Sequence, residues 1–547
     1  MMTAWIIHNF APLMFAALVV FLLLGYPVAF ALAANGLLFA FVGIELGIFT
    51  TDLLKLLPER VFGIMRNETL LAIPFFTFMG LILERSGMAE DLLDTVGQVF
   101  GPVRGGLAFA VVFVGALLAA TTGVVAASVI SMGLISLPIM LRYGYDRRLA
   151  SGVIAASGTL AQIIPPSIVL IVLADQMGRS VGDMYQGAIV PGLVLTGLYA
   201  GYVMAVSIFR ADRAPALPPE ARTFREANGS AGYPSLVVVL VIAVAATIGL
   251  AFLVDAILAV ALAIVGTFAF ALVDRWLNLA LLSRLARQVV IVMVPPLALI
   301  FLVLGTIFIG VATPTEGGGM GAVGALVMAV ANRRFSWKLM RQAMDTTAKL
   351  SSFVIFILIG AQTFSLFFNA AEGHHWVESL LADLPGGKIG FLVVVNLLVF
   401  LLAFFLDFFE LAFIIVPLLA PVAEKLGIDP IWFGIVLAVN MQTSFMHPPF
   451  GFALFYLRSV APDRPYIDRV TGKRTDGITT MQIYWGAVPF VVIQLVMVGL
   501  VIAFPGLVTS GLDKGPKKDP AKIEIKIDVP TPEIQVPPNL PTIPPRQ

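Results

Sequence analysis

Two stretches of this chain set Ser, Thr, Gly and Asn beside a pair of prolines inside otherwise apolar segments. They are SGTLAQIIPPSIVL (Ser157 to Leu170) and NMQTSFMHPPFGFALF (Asn440 to Phe455). Hydroxyl, amide and backbone carbonyl oxygens of this kind are ligands for small hard cations. Pro165-Pro166 and Pro448-Pro449 each remove two backbone donors and restrict the residue before them, freeing carbonyls and helix termini in mid-segment. A freed helix N-terminus carries partial positive charge and suits a carboxylate. The chemistry on offer is ion coordination and anion recognition, with Pro165, Pro166, Ser167, His447, Pro448 and Pro449 as candidate substrate contacts.

Further candidates lie at two polar interruptions. Thr121, Thr122 and Gly123 (in AATTGVVAAS), together with Ser157, Gly158 and Thr159, form a first candidate cation site. The competing reading is close packing, because small residues let membrane helices approach. Asp407 and Glu410 (in LDFFE), with Asn440 and Thr443, form a second. Carboxylates at membrane depth are costly and functional; at an outer interface both acids would simply be hydrated. His447 is either a substrate contact that makes transport pH-dependent or a packed histidine. Thr313-Pro314-Thr315-Glu316 reads as a capping box with proline at the first helical position.

These groups must be held by membrane helices. Of 547 residues, 59% are hydrophobic and 12% charged, and the mean hydropathy is +0.97. Apolar runs long enough to cross a bilayer recur from Ile6 to Val508. There is no cysteine, HExxH or GxSxG, and the four histidines do not cluster apart from His374-His375. An intramembrane enzyme is disfavoured, no organic cofactor is expected, and no basic block argues for nucleic acid. The segment Thr51 to Glu68 reads as an interfacial amphipathic helix.

Backbone inside a bilayer must bond to itself, so a mid-depth break is tolerated only where protein or a watery cavity surrounds it. From Gly105, roughly 15 apolar residues reach the TTG turn and another run returns to Arg142; about 22 Å of helix falls short of a full span. Arginine at both ends places them on one face, which the positive-inside rule makes cytoplasmic. A re-entrant hairpin followed by a broken helix fits. The order repeats upside down from Ile389, through the LDFFE turn, to the second broken helix, though those arms are long enough for two spans. An inverted repeat with two hairpins and two discontinuous helices is the expected all-α membrane architecture, and it favours a secondary transporter over a passive channel. The expected divisions are 1–104 (scaffold and arm), 105–176 (first hairpin and broken helix), 177–387 (scaffold, with an extra helical pair at about 234–273), 388–460 (second hairpin and broken helix), 461–508 (loop and last span) and 509–547 (disordered proline-rich tail).

Seven motifs in order, PFFTFMGLILERSGMAEDLL, RGGLA, GYDRR, ASGTLAQIIPPS, ATPTEGGG, LGIDPIWFG and PPFGFALFYLRSVAP, resemble the large, DctM-like membrane subunit of TRAP (tripartite ATP-independent periplasmic) transporters, over about residues 10 to 508. The extra helical pair, TTGVV and LDFFE resemble the longer branch of that family. The resemblance implies sodium-coupled uptake of a small organic acid (monocarboxylate, 2-oxo acid or dicarboxylate) across a bacterial inner membrane, by an elevator motion. It also implies two partners, a periplasmic substrate-binding protein and a small four-helix membrane subunit. His447 stands where this family is expected to carry threonine. A carrier of the same architecture that needs no binding protein is the alternative.

Overall fold

The computed structural model describes residues 2–222, 224, 232–254, 256–381, 384–448, 451–468 and 470–512. The proline-rich tail from 513 onward and Pro449 lie outside them. Among the described residues the chain is helical apart from a two-stranded ribbon, Tyr466–Ile467 against Arg474–Thr475. The opening runs give α1 (Met2–His8), α2 (Phe10–Leu23) and α3 (Val28–Glu45). The mixed-charge stretch forms a tight turn and α4 (Leu56–Met65), and the next apolar segment leaves it at 51°. Next come α5 (Ala72–Arg85) and α6 (Met88–Phe100), whose Leu92, Leu93 and Val96 are buried at helical spacing.

The first hairpin is α7 (Gly106–Thr122) and α8 (Val125–Arg142), and the first broken helix is α9 (Arg147–Thr159) and α10 (Ile168–Gln176). Then follow α11 (Val181–Phe209), the extra pair α12 (Tyr233–Ala251) and α13 (Ala256–Leu277), and α14 (Arg284–Phe308). α15 (Pro314–Ala331) starts on the expected Thr313/Glu316 capping box, and α16 (Trp337–Ala370) runs for 34 residues. Where a loop is expected at Glu372 to Asp383, the chain forms α17 (Gly373–Leu381) and buries Val377. The second hairpin is α18 (Gly387–Leu402) with α19 (Phe408–Ile414) and α20 (Val416–Lys425); the second broken helix is α21 (Pro430–Met441) and α22 (Phe452–Val460). α23 (Thr480–Ala503) is the last span. Eight described helices (α3, α8, α11–α14, α16 and α23) are long and apolar enough to cross a membrane.

Both hairpins are tied at their open ends. The backbone N–H of Leu107 donates to the Tyr145 hydroxyl (3.2 Å), and the N–H groups of Gly105 and Asp146 both donate into the Arg213-Ala214 turn. In the second hairpin, Lys388 Nζ reaches the carbonyl of Gly427 at 3.0 Å. α18 has 16 residues, about 24 Å of helix, short of a bilayer core; α8, with 18, is the one hairpin arm long enough to span.

The division at residue 177 cuts through a packed unit. α11 and α23 lie against the broken helices, not with α3, α5, α15 and α16, which pack on one another. A Cβ on Gly152 of α9 would sit 2.1 Å from the Gly486 carbonyl of α23, so that crossing exists only because both residues lack side chains.

Candidate functional site

α9 begins on Asp146, whose carboxylate accepts the N–H groups of Arg148 and Leu149 at 2.9 and 3.0 Å. Every residue from Leu149 to Thr159 is buried. The helix tightens over Leu160–Gln162 and stops at the two prolines, and α10 restarts on Ser167. The Ser167 hydroxyl donates to the Gln162 carbonyl (2.6 Å) and accepts from Leu170 N–H (3.5 Å), stitching the two sides of the break; the Tyr185 hydroxyl donates to the Ser167 carbonyl (3.4 Å). The tip of the first hairpin meets this break. Gly123 holds φ +58°, and a Cβ there would lie 3.2 Å from the Pro166 carbonyl oxygen. That contact places the tip beside mid-helix.

The second break mirrors it. α21 starts on Asp429, which accepts Trp432 N–H at 2.9 Å, and tightens over Gln442–Phe445. Asn440 Nδ2 donates to the backbone and side-chain oxygens of Asn396 on α18 (2.7 and 2.9 Å), and Thr443 donates back to the Asn440 carbonyl (2.7 Å). The two breaks are joined through Thr159. Its hydroxyl donates to the Ala156 carbonyl (2.8 Å) and accepts from Gln442 Nε2 (3.0 Å) and Gln494 Nε2 (3.4 Å), while Gln494 also donates to the Tyr199 hydroxyl (2.9 Å). All four residues are fully buried. Gln442, Gln494, Tyr199 and Asn396 are absent from the sequence-based set. A lone glutamine inside the apolar run of α23 is a signal that points to Gln494, because amides at that depth need partners.

Around these breaks Ser157 Oγ, Gln162 Oε1, Asn440 Oδ1, Gln442 Oε1 and Gln494 Oε1 are buried with no hydrogen-bond partner among the described residues. Unpaired acceptors cost about 1–3 kcal/mol each, so this oxygen-rich interior suits a cation or ordered water. Both tips, both breaks and the scaffold line one cavity of ≈ 100 Å³, with Gly123, Gln162, Thr77, Phe409, Phe445 and Tyr456 on its walls. That is room for about three waters. The first residues of α10, Ile168 and Val169, also face it. No Lys or Arg does.

The other candidates are placed as follows. Thr121 bonds its own helix, donating to the Leu118 carbonyl (2.9 Å), and Thr122 closes α7, its side chain outside the described set. Gly158 is a packing residue in this geometry: a Cβ there would lie 2.3 Å from Val129 Cγ2 of α8. Asp407 and Glu410 form a capping box for α19, Glu410 N–H to Asp407 at 2.8 Å and Asp407 N–H to Glu410 at 2.7 Å. Neither shares a hydrogen bond with Asn440 or Thr443 among the described residues, so the second candidate group divides into a capped tip and an Asn396-bound pair. His447 is buried, stacked on Phe404 (4.1 Å between centroids) and edge-on to Phe400 (4.5 Å). Neither ring nitrogen has a hydrogen-bond partner among the described residues, and the imidazole does not line the cavity.

The family model for the DctM component of tripartite ATP-independent periplasmic transporters matches residues 15–507. The chain belongs to this family. Among its relatives is the C4-dicarboxylate TRAP transporter large permease protein DctM of Pseudomonas aeruginosa, 29% identical over 76% of this chain and 82% of its own length. The Rhodobacter capsulatus protein of the same name is 28% identical over 81% and 89%. The ectoine/5-hydroxyectoine TRAP transporter large permease of Ruegeria pomeroyi is 24% identical over 84% and 92%. The solved YdaH transporter of Alcanivorax borkumensis overlays with TM-score 0.49 and 17% identity, over 84% of this chain and 90% of its own. The all-α membrane fold rests on the helices themselves. As a TRAP large permease, this is a multi-pass membrane transporter subunit.

Proposed function

We propose that this TRAP permease carries a small organic acid inward across the bacterial inner membrane, coupled to sodium. A periplasmic binding protein hands over the solute and a small four-helix membrane subunit braces the permease. The observation that supports this reading is the cavity between the two hairpin tips and the two breaks, with the unpaired Gln162 Oε1 on its wall and further unpaired acceptor oxygens buried around the breaks. Two groups of oxygens suit sodium: Ser157, Thr159 and Gln442 where the two breaks meet, and the Asn440–Thr443 pair of the second break; the Asp407 carboxylate, at the capped tip, supplies charge apart from that pair. With no basic side chain on the cavity wall, the N-terminus of α10 is the group that receives the substrate carboxylate. The ≈ 100 Å³ space has room for little more than water, and the unit of hairpins, broken helices, α11 and α23 slides past α3, α5, α15 and α16 as an elevator. Relatives named for C4-dicarboxylates and for ectoine leave the acid itself open.

The test is uptake into liposomes holding the permease, its small subunit and its binding protein, with radiolabelled C4-dicarboxylates and monocarboxylates. Saturable uptake under an inward sodium gradient, and none with potassium replacing sodium, is the expected result. Equal flux without the gradient removes the coupling. Full uptake without the binding protein would make the chain a self-sufficient carrier.

A further inference from the structure

The GYDRR motif takes no part in the cavity. It opens instead on a separate polar pocket of ≈ 540 Å³ on the arginine-rich face, between the base of the first hairpin, the start of α9, the turn after α11 and the start of α23. Asp146, Arg147, Arg148, Asp212, Arg213 and Gln482 stand on its walls. Three guanidinium groups face two carboxylates, and one of these, Asp146, is engaged as the cap of α9. Two of the three guanidinium groups lack partners among the described residues. Neither Arg148 nor Arg213 has a side-chain ion pair or hydrogen bond among the described residues. Arg147 reaches Asp476 only at 3.5 Å, and its Nε is buried without an acceptor. Gln482 has its side-chain oxygen bound to Thr479 N–H at 2.9 Å. The pocket therefore holds unmatched donors in fork geometry, beside the N-terminus of a 13-residue helix.

Exposed apolar side chains stand close by in the sequence, on two of the elements that build the pocket. Phe209, Met481 and Trp485 are 84%, 60% and 55% exposed. Phe209 stands four residues before Arg213, and Met481 and Trp485 stand next to Gln482 and one turn beyond it. Exposed apolar side chains, one of them an indole, on the elements that carry the cationic pocket suit a molecule with an anionic head and apolar tails.

We propose that this pocket binds a phosphate group, specifically the headgroup phosphate of an anionic phospholipid, with its acyl chains along Phe209, Met481 and Trp485. Guanidinium forks take phosphate oxygens bidentately. A free phosphate would use the same donors, but it gains nothing from the exposed Phe209, Met481 and Trp485 on the neighbouring elements. The lipid bridges α9, α11 and α23, the packed unit around the breaks, and so clasps the inner end of that unit. This site is independent of the substrate, and its test does not depend on transport.

Purified wild-type permease, delipidated and titrated with phosphatidylglycerol or phosphatidylcholine, is followed by native mass spectrometry. One tightly held phosphatidylglycerol is expected, preferred about tenfold over phosphatidylcholine. Arg148→Gln/Arg213→Gln abolishes the preference, while Arg104→Gln/Arg275→Gln, which removes two arginines outside the pocket, keeps it. Should the glutamine pair fail to fold, Arg148→Lys/Arg213→Lys keeps charge without the fork and is expected to lose most of the preference. Undiminished preference in a folded pocket variant, or equal loss in the control pair, overturns the proposal. Displacement of the lipid by equimolar glycerol 3-phosphate also overturns it, assigning the pocket to a soluble phosphate.

Discussion

Thr159 joins the two broken helices, and its removal has a calculable effect. Thr159→Val preserves shape but removes the acceptor for Gln442 Nε2 (3.0 Å) and Gln494 Nε2 (3.4 Å). Gln494 retains Tyr199 at 2.9 Å, so one lost bond there costs about 1 kcal/mol. Gln442 Nε2 keeps no partner, and a stranded buried donor costs about 1–3 kcal/mol. The expected loss is about 2–4 kcal/mol. Gln442→Leu should cost far less, about 0–1.5 kcal/mol, because it deletes an orphaned oxygen along with the donor and leaves Thr159 its bond from Gln494. The double variant replaces both partners with apolar groups, so it should fall short of the summed losses by about 1–3 kcal/mol. Unfolding free energies in mixed detergent micelles, taken as a double-mutant cycle, measure this coupling. Additivity within about 0.5 kcal/mol refutes the contact across the two halves.

Asp407→Asn retains the α19 cap, since Asn and Asp cap equally well, yet removes the charge; it should leave folding intact and raise the sodium concentration for half-maximal uptake at least about tenfold. Wild-type sodium dependence in that variant reduces the carboxylate to its capping duty. His447→Phe preserves the stack on Phe404 and should leave the pH profile of uptake unchanged between about pH 5.5 and 8. A flattened profile restores the imidazole to a protonation role. In the loop beyond α22, the Thr471 backbone N–H, and with it the Arg142 guanidinium, hold the Asp468 carboxyl down at about 2, against an opposing effect of burial. A depressed carboxylate stabilises above its ordinary range and loses that contribution as pH falls, here between about 4 and 2. Pepsin should therefore cut within 463–479 increasingly as pH falls through that window, and little above it. Cleavage that Arg142→Gln leaves unchanged contradicts a stabilising Arg142–Asp468 pair.

The two broken helices are legible because their signals are local: paired prolines follow small and polar residues in apolar runs, Asp146 and Asp429 cap the starts of α9 and α21, and Ser167 caps the restart at α10. What joins the halves is not local. Thr159 and Gln442 are 283 residues apart, and Gln494 and Tyr199 are 295 apart, so nothing in either neighbourhood reveals the contact. Asp407-Phe-Phe-Glu410 carries the same spacing as the box at Thr313, but a carboxylate read at membrane depth draws attention to ions before caps. His447 is polar by type and aromatic by use, a distinction that only the positions of Phe400 and Phe404 supply. The packing of α11 and α23 on the broken helices rests on the Gly152–Gly486 approach, which is a tertiary fact.

The chain contains no cysteine, so it is its own background for the most direct test. Val124 at the first tip and Phe445 at the second break both face the ≈ 100 Å³ cavity. Val124→Cys/Phe445→Cys, treated in native membranes with a short bifunctional methanethiosulfonate, should form an intramolecular link and arrest uptake until a reductant is added. Cysteines that react singly but never with each other would contradict the convergence of the two halves.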